Sequence, residues 1–262
     1  GPIGASTYDL AVFLEVAGGA DPEDELTHMT PVLEPGELVA ALRRGVRGLR
    51  IGVLEGELAA ADPAVAEACR AALRALERDG AVLVSSELPL APHAPAIGYL
   101  TIGLETYASL LSARRDHFDR MGPDLQLLCR LISSMRPDDY LDAQCLRATL
   151  RQQTAELLRE VDVIALPTTA KVAPPVTDAD MKQGFADTVA LAAACRFAFL
   201  ANLTGLPAGT APVGSGEAGL PVGLQIVGDA FDEHTVLAVL AHLERTGVAS
   251  VRKPRIEARP LG

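Results

Sequence analysis

The sequence predicts an α/β protein with a mixed β-sheet core and helices on both faces. Three observations carry that expectation. Residues 49–84 read as strand, helix, strand, the pattern of a parallel βαβ unit with a right-handed crossover. Residues 202–214 and 219–228 are apolar runs closed by glycines and separated by Ser215-Gly216-Glu217-Ala218, the pattern of an antiparallel hairpin. Between these, residues 95–160 carry mostly helical periodicity.

Taken in order, Ser6 or Thr7 caps an opening helix over residues 8–16, and Gly18-Gly19 ends it. Ala20-Asp21-Pro22-Glu23-Asp24 forms a turn in which two acids cap their own loop. A calcium site there would require further oxygen ligands that do not follow. A strand occupies 49–54. Asp62 as cap and Pro63 at the first position start a helix through Val65, Cys69, Ala72, Leu73 and Leu76 that stops near Gly80. A second strand occupies 81–84. Gly52 and Gly56 do not supply GxGxxG after the first strand, which excludes a dinucleotide fingerprint.

Helices are expected over 97–120, broken at Met121-Gly122-Pro123, over 124–134, and after Arg136-Pro137-Asp138 as far as 160, with Asp138 or Asp139 as cap. Arg114, Arg115, Asp116, His117 and Asp119 read as a solvated face with local ion pairs, in preference to His117 as a base. The run 161–166, apolar but for Asp162, is a strand ending in Pro167-Thr168-Thr169. Open α/β sheets hold ligands at the carboxyl ends of their strands, so Thr168 and Thr169 are candidates for a substrate pocket. The same hydroxyls are equally suited to hydrogen bonds inside a turn.

Residues 186–201 read as a helix of small apolar residues, Ala186 among them, capped by Asp187 or Thr188 and buried on more than one side. Pro207, Pro212 and Pro221 cannot donate ladder hydrogen bonds and belong at strand ends, bulges or edges. The last helix opens at Phe231-Asp232-Glu233-His234, with acids suited to the helix dipole, His234 at the surface and His242 near the carboxyl end. The basic, proline-bearing tail after Arg252 reads as a poorly packed terminus.

Length, composition and charge narrow the class. The 262 residues are 49% hydrophobic and 22% charged, the profile of a soluble globular protein with ample core. A net charge of −11 argues against nucleic-acid or anionic-membrane surfaces, and no apolar window is long enough to span a bilayer. Cys69, Cys129, Cys145 and Cys195 are widely spaced and lack any CxxC pairing, so each is expected as a buried free thiol. A cytoplasmic protein without metal or organic cofactor fits these features.

Asn202-x-Thr204-Gly205-Leu206-Pro207-Ala208, then Pro212-x-Gly214, then Gly219-Leu220-Pro221-Val222-Gly223-Leu224-Gln225 resembles the C-terminal part of the amidase signature family. The apolar strand after Asp162 that ends in Pro-Thr is a second resemblance, and Tyr140-x-x-Ala143-x-x-x-Arg147 is similar to a family helix. Gly1-Pro2 followed by Ile3 is similar to a mid-chain segment of the family. The resemblance implies hydrolysis of amides, or of related carbamates and esters, by a Ser nucleophile, a second Ser with a cis peptide bond, and a Lys. A hydroxyl needs a base, a desolvated neutral Lys can accept the proton through the second hydroxyl, and Gly-rich backbone amides stabilise the oxyanion. In the family those groups precede the Gly-Pro segment.

No residue here takes those roles. Lys171, Lys182 and Lys253 do not precede a Gly/Ser-rich segment, and Ser85-Ser86 and Ser133-Ser134 lack flanking glycines. A triad of Ser86, His93 and Asp79 can be drawn, but nothing in the sequence orients it. The expectation is therefore that residues 1–262 are the C-terminal portion of a single amidase-signature domain. They would supply scaffold and substrate-pocket wall, while an N-terminal part of the same protein supplies the catalytic groups. The implied partners are a small-molecule amide-type substrate and that N-terminal part, without nucleic acid or membrane, and with oligomerisation open. The alternative is a non-catalytic remnant acting as a binding or scaffold module. A transamidase component of the same family, working with partner proteins, is a third reading.

Overall fold

A computed structural model describes residues 1–183 and 187–250. Ala186 of the expected small-residue helix, and the tail after Arg252 with Lys253, lie outside the described residues.

Helix α1 (Thr7–Ala17) starts at Ser6, whose hydroxyl accepts from the Asp9 amide at 3.2 Å while the Asp9 carboxylate accepts from the Ser6 amide at 2.9 Å. This reciprocal pairing satisfies two amides that the first turn would otherwise orphan. In the acidic turn Asp21 accepts from the Glu23 amide and Asp24 from the Leu26 amide, so both acids serve their own loop. Helix α2 (Glu37–Ala41) follows, its amino end held by Glu15, which accepts from the amides of Gly36 and Val39.

Strand β1 (Arg50–Leu54), short helix α3 (Glu55–Ala59), helix α4 (Pro63–Arg78) and strand β2 (Val82–Ser86) form the expected parallel unit, with Arg50 opposite Val82. Gly80 adopts φ +103°, the left-handed region that closes the helix. Asp62 occupies the cap position without a side-chain cap bond, contrary to expectation. Its backbone amide instead donates to the Ala170 carbonyl at 2.8 Å and ties α4 to a distant loop.

The helical stretch breaks earlier than its periodicity suggests, into α5 (Ala94–Ser109), α6 (Leu111–His117), α7 (Pro123–Ile132) and α8 (Pro137–Leu157). The break at Leu110 replaces the expected continuous 97–120 helix. Arg136 holds the cap position of α8 in place of either aspartate, and Asp139, three residues on, accepts from the Arg136 amide at 2.8 Å. Strand β3 (Val163–Pro167) comes next, then α9 (Asp178–Gln183) and α10 (Thr188–Cys195). Asp187 caps α10, accepting from the Val189 and Ala190 amides at 3.0 Å each.

The expected 186–201 helix is two helices, because the chain turns at Arg196 and Phe197 into α11 (Ala198–Thr204). The expected burial on more than one side holds for α11, where Leu200, Ala201, Leu203 and Thr204 are buried, but not for α10, whose described side chains include none that is buried and whose Val189 is 74% exposed. Residues 202–204, read as strand, complete α11, and Gly205 at φ +75° ends it. Strand β4 (Ala208–Ser215) and strand β5 (Pro221–Gly228) form the hairpin, and α12 (Glu233–Arg245) closes the described chain. Pro221 opens its strand and Pro212 sits at a register shift in β4, as their missing amides require. Asp232 caps α12 by accepting from the Thr235 amide, and Glu233 lies in the first turn, where the helix dipole favours an acid.

The sheet order is β2-β1-β3-β5-β4, with β1 parallel to β2 and β3, and β5 antiparallel to β3 and β4. Alternation along β3 feeds two cores. Val163 and Ala165 join Leu224, Ile226 and residues of α4 and α12 on one face. Ile164 and Leu166 join Val227 and residues of α5, α8 and α11 on the other. Helices therefore cover both faces, as expected. Helices α1 and α2 add a small cluster against α12 through Ala11, Leu38 and Leu237.

The expected burial of Cys145, Cys195 and His234 changes. Cys145 is exposed and Cys195 half-buried, while Cys69 and Cys129 are buried free thiols. His234 is not at the surface: its side chain is 16% exposed and pairs with Glu37 at 3.0 Å. Asp79 pairs with His242 at 2.8 Å and precedes β2, whereas Ser86 ends that strand, so the drawn Ser86–His93–Asp79 triad does not assemble.

Leu224 is fully buried between β3 and the α4/α12 layer. Leu224→Ala is expected to cost roughly 2–5 kcal/mol, read as a lower urea midpoint with an unchanged slope.

Candidate active site

At the carboxyl end of β3 the backbone continues its pairing for one residue, the Thr168 amide donating to the Gly223 carbonyl at 2.9 Å. That bond aims the Thr168 side chain across Gly223 toward β4, where its hydroxyl lies 3.2 Å from the Thr210 hydroxyl. Gly223 makes the approach feasible. A methyl group there would sit 2.7 Å from Thr168 Oγ1 and 2.8 Å from Thr210 Cγ2.

These residues edge a cavity of about 460 Å³. One wall is the loop after β3, with Thr168, Thr169, Lys171, Val172, Ala173 and Pro174. The opposite wall is α10, which presents Ala190, Ala193 and Ala194. The hairpin closes the side with Thr210, Pro212, Pro221, Val222 and Gly223. The volume lies within the usual range for small-molecule pockets, and the place is the carboxyl end of a strand in an open α/β sheet.

Both candidate threonines therefore reach the cavity, in different ways. Thr168 directs its hydroxyl at Thr210, while Thr169 donates to the Lys171 carbonyl at 2.7 Å and so also acts as a turn residue. The loop is locked from both sides: the Ala170 amide donates to the Ala193 carbonyl of α10 at 3.0 Å, and the Ala170 carbonyl accepts from Asp62. Sequence reasoning missed the α10 wall, Thr210 and Gly223. The signal for α10 was present, since alanines at 190, 193 and 194 share one helical face. The loop 170–184 contributes Lys171, Val172, Ala173 and Pro174 to this cavity and residues 89–134 contribute none; Leu90, Ile97 and Leu100 line a separate groove between α5 and α8.

Two titratable groups support this architecture from behind. Cys69 of α4 lies with its sulfur 3.7 Å from the Gly223 carbonyl, and burial pushes its thiol up to about 12. It stays protonated, a donor in the wall and not a nucleophile. Glu57 of α3 is 4% exposed and pairs with Arg196, which follows α10, at 3.4 Å. Burial raises the Glu57 carboxyl above its ordinary value of 4.5, and the Arg196 charge opposes that rise. Among the described residues, no cluster of three or more His, Cys, Asp or Glu side chains has the arrangement of a metal site.

The sequence model of the family described as Amidase matches residues 1–237. The chain is 31% identical to a fatty acid amide hydrolase of Medicago truncatula, covering 97% of this chain and 42% of that protein. It is 34% identical to a component of the glutamyl-tRNA(Gln) amidotransferase of a Roseiflexus strain, covering 91% of this chain and 52% of that one. The fold is also similar to a solved structure of 6-aminohexanoate cyclic dimer hydrolase complexed with substrate, with a TM-score of 0.76 at 22% identity, over 95% of this chain and 55% of that one. The chain thus spans about half the length of the relatives it matches.

Two outcomes test the support of the cavity. Arg196→Ala leaves Glu57 buried without its counter-charge and is expected to cost roughly 1–3 kcal/mol. A raised carboxyl binds its proton more tightly in the folded state, so its stabilising effect is present at acid pH and fades as pH rises past the ordinary glutamate value. The Arg196→Ala loss is therefore larger at neutral than at mildly acid pH, measurable by urea unfolding at both. Gly223→Ala is expected to push Thr168 and Thr210 apart at a cost of roughly 1–3 kcal/mol, visible as a lowered Tm.

Proposed function

This chain belongs to the amidase family, and from that premise we propose that the whole protein hydrolyses C–N bonds of amides, with residues 1–262 forming scaffold and substrate-pocket wall. The observation that carries the reading is the cavity at the carboxyl end of β3, edged by Thr168 and Thr169, within the stretch that matches the family. In this reading the Ser–Ser–Lys machinery is contributed by sequence outside residues 1–262. That machinery faces the cavity, and the substrate lies between the two.

The division of labour has a physical reason. Nucleophile, proton relay and oxyanion donors must be held rigidly to a fraction of an ångström, whereas a pocket wall needs shape and dryness. The wall supplied here is built of backbone-locked loop, small helix residues and hairpin, and it can position a substrate without taking part in bond breaking. The Thr168 and Thr169 hydroxyls then orient the substrate as hydrogen-bond partners.

Incubating the full-length protein with a serine-directed fluorophosphonate and mapping the labelled peptide tests this directly. The expected result is amide hydrolysis, blocked by the label, with the adduct on a serine outside residues 1–262. A covalent adduct on a serine within them would falsify the division proposed here.

A further inference from the structure

We infer that the cavity beside Thr168 takes an uncharged, apolar substituent of the amide substrate, and that the alanine face of α10 sets how large that substituent is. The inference deepens the amide-hydrolase reading and rests on it for the identity of the reacting group. Its basis is the chemistry of the walls. Val172, Pro212, Val222 and the α10 alanines present hydrocarbon to the cavity, while the threonine hydroxyls mark its edge.

A substituent entering this space exchanges water for hydrocarbon and gains with every methylene buried. A carboxylate or ammonium entering it would lose hydration against walls of alkyl groups. Lys171 also lines the cavity, but its exposed ammonium is hydrated and repays only a small part of the hydration an entering carboxylate loses. The threonine pair has a narrower role. Thr168 and Thr210 lie within hydrogen-bond distance of one another, so they can turn toward a neutral carbonyl or amide without leaving a charge unpaired.

Capacity follows from the side chains of α10. Alanine at 190, 193 and 194 leaves the helix surface bare, and the Ala170–Ala193 backbone bond holds that bare face at fixed distance from the loop. A larger side chain at 194 projects into the space without removing the backbone bond that fixes the wall.

The test uses the full-length protein and N-alkanoyl p-nitroanilides of increasing chain length, with one member ending in a carboxylate and one in an ammonium group. Binding of the same amides is measured in parallel by calorimetry. The expected result is a rise of about fourfold per methylene in kcat/KM until the cavity fills. The charged members are expected to fall by roughly a hundredfold against their neutral isosteres. Ala194→Leu should shift the preferred chain to a shorter length, with the Tm reporting whether the variant folds.

A flat series, or a preference for the charged members, overturns the cavity inference whatever the variant does. Absent turnover with the same graded binding overturns the hydrolase reading and leaves the cavity inference standing.

Discussion

The double burial of β3 is the constraint on which the rest of the molecule depends. All five of its residues are buried, because each face of the strand feeds a separate helical layer. A strand in that position has to be apolar throughout, and Val163-Ile164-Ala165-Leu166-Pro167 is. It also joins two kinds of pairing, parallel to β1 and antiparallel to β5. Its register is pinned at the entrance by Asp162, whose carboxylate accepts from the Arg50 amide at 2.7 Å and whose own amide donates to the Arg50 carbonyl at 2.9 Å. A slip by one residue would exchange the two cores. The strand therefore delivers Thr168 to one place only.

The cavity is the consequence of that delivery. Where β3 runs out, the sheet can no longer fill the space between the loop after it and α10, and small residues line the gap. What keeps the gap open is not side-chain bulk but backbone hydrogen bonding, from Asp62 through Ala170 to Ala193. Glu57 and Arg196 hold the following turn at a cost, since a buried carboxyl is stabilised only in part by a partner 3.4 Å away. Such a wall is stiff along the backbone and permissive in its side chains, which suits a site whose selectivity can change by substitution without disturbing the sheet.

Element types were largely legible in the sequence, and boundaries were not. The parallel unit over 49–84, the Pro-Thr-Thr strand and the hairpin follow from local pattern. Residues 202–204 were misread because Asn202-Leu203-Thr204 continue an apolar run whose periodicity is too short to separate helix from strand. The helix can run through Thr204 because its buried hydroxyl is satisfied by the Leu200 carbonyl, and it ends there because Gly205 adopts the left-handed cap that a β-branched or bulky residue would resist. His234 was misjudged for a related reason, since its partner Glu37 lies almost two hundred positions away, on α2.

By itself the sequence determined the fold class, the order of most elements and the two threonines at the end of β3. These depend on residue-to-residue periodicity, on caps and on the missing amide of proline, all of which are local. The tertiary structure alone decided that Thr168 meets Thr210 across Gly223, that α10 forms the far wall, and that Asp79 belongs to His242 and not to His93. Those pairings join residues far apart in the chain. Their geometry comes from sheet order and core packing, which no local pattern encodes.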